Sequence, residues 1–347
     1  MLYNVYRIFY ELIIMQNPIL VEVIRNGVVE SKHSGSAVVV NTDGEVVYAI
    51  GDYQRHIYPR SAIKPLQAIP LLESGAAVHF DLSDKEIALA CASHNSEDIH
   101  VSAVKQWLDK LELNVDSLEC GAALPSYQAA AHQMIANGVK ASKAHHNCSG
   151  KHCGMLTIAS HLLPKVQGYS AHSHIVQQIW MNTLSELIDE DVSKMHWEQD
   201  GCGLPAIYMP MLKLAQAFSR FADTDKQPGA RGSSMQKILS SLAQYPEMIA
   251  GSERCCTAVI KETKGKVIVK TGAEAVFAGV IPHLKLGFAL KIDDGATRAS
   301  EVALGALLSK VSAIDDQQKQ RLNSFFEPEI VNSLNHQTGM IKASNAW

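Results

Sequence analysis

The apolar pattern from Ile19 to Arg25 is strand-like, and a turn signal follows at Asn26-Gly27. Ser36–Val40 is a β-branched run, Asp43-Gly44 marks a hairpin turn, and Val46–Ile50 returns. The chain therefore opens as an antiparallel meander. After Tyr58-Pro59 the period lengthens, and Ser61–Leu72 has apolar positions at helical spacing. Pro65 is tolerated there only in a first turn, so Ser61 is expected at a helix start. From about 81 to 245 the pattern is helical. Ser83–Ala92 opens with a capping box, and further helices are expected over Ser96–Leu111, Gln128–Ala136, Gly154–His161, His172–Leu187, Leu204–Phe221 and Ser234–Gln244. Strand patterns return at Lys266–Lys270, Ala275–Ile281 and Gly287–Ile292, before a helix over Thr297–Ser312.

Strands, a long helical insert, strands and a helix make an α/β (α+β) fold. Its antiparallel sheet is formed by both chain ends, with an inserted all-α lobe. The expected parts are an arm at 1–16, a sheet sub-domain from 17–80 and 258–325, a helical lobe at 81–257 and a loosely attached tail at 326–347. Residues 1–16 are apolar but too short to span a bilayer, with no cleavage signal after them.

Composition narrows the function. A formal net charge of −4 and 6% aromatics offer neither a basic footprint nor stacking platforms for nucleic acid, and no attraction to anionic lipid. Seven cysteines, an odd number in a long chain, argue for a reducing, cytoplasmic setting rather than a disulfide framework.

Three short motifs then carry chemistry. Ser61-Ala62-Ile63-Lys64 places a hydroxyl and an amine on one helix face, and a lysine of depressed pKa can activate a serine. Ser93-His94-Asn95 follows a helix, and Lys270-Thr271-Gly272 ends a strand. Each pattern alone is common. In this chain order they form the S-x-x-K, S-x-N, K-T-G set of penicillin-recognising serine enzymes. Only 32 residues separate Ser61 from Ser93, so the chemistry carries over but not the penicillin target. Catalysis is expected from Ser61, Lys64, Ser93 and Lys270. The stretch His145–Gly154 and the loop at Asp200-Gly201-Cys202 suggest that Cys148 and Cys202 hold a zinc ion, with a nearby histidine the natural third donor on residue type alone.

The strings YPRSAIKPLQAIPLLESGA (58–76), CASHNSE (91–97), HNCSGKHCGML (146–156), DGCGLPA (200–206) and KTGAEAVF (270–277) resemble the rhizobial-type inducible L-asparaginase family, asparaginase II or class 3. The resemblance runs from about Val21 to Ser312. It implies a serine β-lactamase/glutaminase-like fold, hydrolysis of L-asparagine to L-aspartate and ammonia, and a homodimer. It implies the pairs Ser61 with Lys64 and Ser93 with Lys270. It also implies a zinc site on Cys148, Lys151 and Cys202, replacing the expected histidine by Lys151. Asp200 would orient the metal water or the substrate amine. Arg60 and Arg254 are candidate carboxylate ligands, and His94 and Asn95 candidate substrate contacts. Where the family pattern has a second glycine, position 275 is alanine. Rival readings are another amidohydrolase on the same fold (a glutaminase or a D-aminopeptidase-like enzyme) and a non-catalytic zinc-containing small-molecule sensor.

Overall fold

The computed structural model describes residues 17–347, so the expected arm at 1–16 lies outside the described residues. Its strands, in chain order, are β1 (Ile19–Arg25), β2 (Val28–Asn41), β3 (Val46–Ile50), β4 (His56–Ile57), β5 (Trp197–Gln199), β6 (Pro205–Ile207), β7 (Met209–Pro210), β8 (Ile268–Gly272), β9 (Val276–Ile281), β10 (Leu286–Ile292), β11 (Glu329–Val331) and β12 (Gln337–Ala343). An eight-stranded antiparallel sheet runs β11-β12-β1-β2-β10-β9-β8, with β3 also on β2. The long β2 explains this order. Its first half pairs with β1, and residues 35–41 pair with β10. One strand thus bends from one ladder to the next, and the sheet curls.

The longer helices are α1 (Asp84–Ala90), α2 (Asp98–Lys110), α3 (Gln128–Ala136), α4 (Ser149–Leu162), α5 (Ile175–Ile188), α6 (Met211–Phe221), α7 (Arg231–Gln244), α8 (Cys255–Glu262) and α9 (Thr297–Lys310). The helix α1 opens with the expected capping box: Ser83 and Glu86 satisfy each other's backbone N–H groups. Helices α6 and α9 pack on the sheet, while α1, α2, α5 and α7 cluster around α4 or one another in the lobe. None of the described helices is long and apolar enough to cross a membrane.

Two expectations fail for stated reasons. The single helix over Ser61–Leu72 is a 3₁₀ turn (Arg60–Ile63) followed by two short helices (Lys64–Gln67 and Ile69–Glu73). Pro65 and Pro70 each sit in the first turn of one of these, because a proline cannot donate to the preceding turn and so starts a new one. The tail at 326–347 is not loose. The strand β12 pairs with β1 from Val21↔Ala343 to Arg25↔Gly339, and Trp347 donates to the Leu20 carbonyl at 2.9 Å. Alternating residues had hidden a strand in a polar stretch.

Ile341 is buried between β1 and the sheet's helical cover. Ile341→Ala should cost about 2–4 kcal/mol, read by urea unfolding, as for other large-to-small core changes. A loose tail would give a change below about 0.5 kcal/mol.

Candidate active site

Lys64 follows the 3₁₀ turn and is fully buried, because Pro65 and the short helices turn it inward. Ser93 leaves the C-terminal end of α1, tied down by its N–H to the Ile249 carbonyl at 2.9 Å. Lys270 comes from β8, also fully buried. These three meet. The Lys64 and Lys270 amines each donate to Ser93 Oγ at 2.9 Å. Lys64 also donates to the Ala92 carbonyl and to Cys148 Sγ at 3.2 Å, and Lys270 to the Thr271 carbonyl at 2.7 Å.

Close packing makes this convergence possible. A Cβ on Gly272 would overlap the Pro59 carbonyl oxygen, so only glycine lets β8 lie against the Ser61 turn. A Cβ on Gly150 would overlap the Leu89 carbonyl, so glycine brings the start of α4 against α1. Cys148 and Lys151 are thereby delivered beside Ser93.

Burial sets the charges. It pulls the Lys64 pKa down from the usual lysine value, against the attraction of Cys148. It also pulls Lys270 down, to about 7, with the Lys64 and Arg254 charges adding to the effect. The Cys148 sulfur accepts a hydrogen bond from the Cys202 thiol and faces two lysines, which together hold it well below the ordinary thiol range despite burial. Cys202 is correspondingly raised, so the pair shares one proton. Lys151 donates to Cys202 Sγ at 3.1 Å; burial lowers its pKa, but the two sulfurs outweigh this and raise it. Among the described residues no three His, Cys, Asp or Glu side chains gather as a metal cluster. The donor set here is two cysteines and a lysine.

Arg60 adopts a left-handed backbone, φ +52°, next to Ser61. Its guanidinium binds Asp200 Oδ1 at 2.6 and 2.8 Å. Gln67, three residues past Lys64, lines an enclosed space of about 10 Å³ with Arg60, Lys151 and Asp200. That is room for one water at most. Gln67 was not singled out from the sequence, although its i+3 spacing from Lys64 was the available signal.

The predicted residues do not all assemble as expected. Ser61 is partly exposed, and among the described residues its hydroxyl has no side-chain partner. The Lys64 amine goes instead to Ser93, the Ala92 carbonyl and Cys148, all brought in from outside its own turn. The Ala62 N–H already donates to the Pro59 carbonyl at 3.1 Å and is not a free oxyanion donor. His94 has both ring nitrogens engaged within the protein. It is fully buried and stacked on His100 (4.9 Å), its Nδ1 accepts from the Ser96 N–H at 3.1 Å, and its Nε2 meets Ser149 Oγ at 2.9 Å. Burial holds it neutral. Asn95 and Arg254 bind each other at 2.8 Å. The alanine at 275 sits at φ +58°, directly after Glu274 at φ +61°. Two successive left-handed residues make a position that glycine would occupy more cheaply, by about 1–2 kcal/mol for the backbone alone.

The family model described as L-asparaginase II matches residues 21–343. The chain belongs to this family. Its members are amidohydrolases that act on asparagine, so the buried cluster belongs to an asparaginase II enzyme. No curated protein matches the chain in a sequence search. The asparaginase II match spans the sheet and the helical lobe alike, and so includes every residue of the cluster.

Gly272→Ala should push β8 off the Ser61 turn. The expected result is a destabilisation of about 1–3 kcal/mol together with at least a tenfold loss of turnover. Unchanged stability and activity would show that the close approach does not matter.

Proposed function

We propose that this asparaginase II enzyme hydrolyses L-asparagine to L-aspartate and ammonia by serine–lysine catalysis. The observation that carries the proposal is the Ser93 hydroxyl held between two buried amines at 2.9 Å each. Such a hydroxyl can take a proton from one amine and give one to the other, a relay between two ends of a reaction. Ser61, one turn before Lys64 and open to solvent on one side, attacks the side-chain amide carbon. Its proton passes to neutral Lys64, and the Ser93–Lys270 pair delivers a proton to the departing ammonia. Water then releases the acyl group. The order of motifs along the chain and the helical lobe set on an antiparallel sheet support a serine β-lactamase/glutaminase-like arrangement. Arg60, paired with Asp200 and beside Ser61, remains the candidate for binding the substrate carboxylate.

A second reading is favoured by one observation: both amines touch Ser93 and neither is hydrogen-bonded to Ser61, so Ser93 itself is a candidate nucleophile. Trapping the acyl-enzyme and locating it by peptide mass spectrometry separates the two. Ammonia release from asparagine should fall at least about 10³-fold in Ser61→Ala, Lys64→Met and Lys270→Met. Near-native turnover in Ser61→Ala, with the acyl group on Ser93, overturns Ser61 as nucleophile. A substrate panel with glutamine and D-amino-acid amides tests the rival amidohydrolases. No turnover on any amide leaves the sensor reading.

The chemistry of the donor set fits zinc. The Cys148 and Cys202 sulfurs and the Lys151 amine come from the start of α4 and the loop at 200–203, are each less than 5% exposed, and meet at hydrogen-bond distance. These three residues would hold the ion. When bound, it would supply a fixed positive charge that anchors the polar end of the substrate. Asp200, two residues before Cys202 and paired with Arg60, would help to orient that end. Purified protein should contain about one zinc per chain by elemental analysis, and Cys202→Ala should lose it. Because all three donors must shed protons, the metal should also leave as the pH falls. A metal-free wild-type protein that binds no added zinc contradicts the site.

All seven cysteines are free. That suits a reducing, cytoplasmic compartment. A homodimer remains the expectation from the family, measurable by sedimentation.

A further inference from the structure

The segments 93–97 and 249–254 lie side by side near the site. Ser93 N–H donates to the Ile249 carbonyl and Asn95 N–H to the Ala250 carbonyl, both at 2.9 Å. The Glu97 carboxylate closes the turn that follows, accepting from the Ser252 N–H at 2.7 Å and its hydroxyl at 2.8 Å. The Asn95 amide bridges the two segments: its Nδ2 donates to the Ser252 carbonyl and its Oδ1 accepts from Arg254 Nη1, both at 2.8 Å. The same Nη1 points at the Ser93 carbonyl, 3.5 Å away. Ser93 Oγ, at the other end of that residue, accepts from Lys270. The guanidinium and the Lys270 amine therefore attach to one residue from its backbone and side-chain ends.

We propose that Arg254 is a positioning residue: held by Asn95 and the turn that Glu97 pins, its charge acts across Ser93 to favour the neutral, proton-accepting form of the Lys270 amine. This rests on the reading of Lys270 as a participant in proton transfer. The physical argument is short. A guanidinium stays protonated at every accessible pH, and here its Nη1 is held by the Asn95 side chain. A fixed cation close to a buried amine disfavours a second cation there. The groups that face Lys270 are Lys64 from the turn after Ser61, Cys91 at the end of α1, Cys148 at the start of α4, and Arg254 and Cys256 at the start of α8. Of these, Arg254 alone is charged whatever the pH. Facing Arg254 itself is Glu301 on α9, whose carboxyl burial pushes up to about 7, against the pull of the guanidinium. Arg254 was first expected as a substrate-carboxylate ligand. Its Nη1 bonds Asn95 and points towards the Ser93 carbonyl.

The test compares pH profiles of kcat and KM for ammonia release from asparagine by the full chain. The variants are Arg254→Gln, Arg254→Lys, Asn95→Asp and Lys270→Met. Asn95→Asp places a carboxylate against the guanidinium and neutralises its field without removing it. It carries the test if Arg254→Gln does not fold. The acid limb of the kcat profile should move up by about one pH unit in Arg254→Gln and in Asn95→Asp, with KM within about twofold. Arg254→Lys should bring the limb back towards the wild-type position. The inference is overturned if the limb stays put in both charge-altering variants. A KM rise of tenfold or more with an unmoved limb also overturns it, and returns Arg254 to carboxylate binding. If Lys270→Met keeps wild-type turnover and limb, the serine–lysine reading fails and takes this one with it. If Lys270→Met is inactive while the limb in Arg254→Gln is unmoved, only the role of Arg254 fails.

Discussion

Two lysine amines share one serine hydroxyl in a place that water does not reach. Lys64 and Lys270 are fully buried and Ser93 is 5% exposed. Burying an unpaired ammonium costs several kcal/mol, and burying two side by side costs more. The cluster lessens this cost because burial draws both amines towards the neutral form and the Cys148 sulfur accepts from Lys64. Neutral amines are bases, and a thiolate is a metal ligand. The constraint that keeps the fold stable is therefore the one that makes the site reactive.

The fold exists to enforce that meeting. Its members lie far apart in sequence: Lys64 and Ser93 are 29 residues apart, Ser93 and Lys270 177. Ser93 is brought by the helical lobe and Lys270 by the sheet, so the site lies on the seam between them. Gly272 lets the strand touch the Ser61 turn, and Gly150 lets α4 touch α1. The left-handed backbone at Arg60, held by the Asp200 ion pair, fixes the third side. The enclosed space beside Lys151 has room for a water but not for asparagine.

Much of this was legible in the residues, and the losses have specific causes. The strands β1 and β3 and the helix α3 fall on the stretches their periodicity marks, because local pattern and burial agree there. The helix α4 starts five residues earlier than expected, at Ser149. Gly150 and Gly154 look like loop residues but serve as points of close contact. The motif order found the members of the cluster; their pairing was beyond it. Whether Lys64 meets Ser61 or Ser93 depends on acceptors at 92, 93 and 148, which only tertiary packing brings to the amine. His94 looked chemical because it sits between Ser93 and Asn95. In the extended segment neighbouring side chains point to opposite sides, so it faces the core. Glu97 drew no notice because its partner, Ser252, is 155 residues away.

The most direct measurement is the protonation state of the two amines. Lysine side-chain nitrogens can be followed by NMR across pH, with Lys64→Met and Lys270→Met for assignment. The account predicts one lysine, Lys270, titrating near pH 7, far below the ordinary value of about 10.4. If the Lys64 and Lys270 signals both titrate at or above that ordinary value, both amines are ammonium at neutral pH, and Ser93 cannot relay a proton between them.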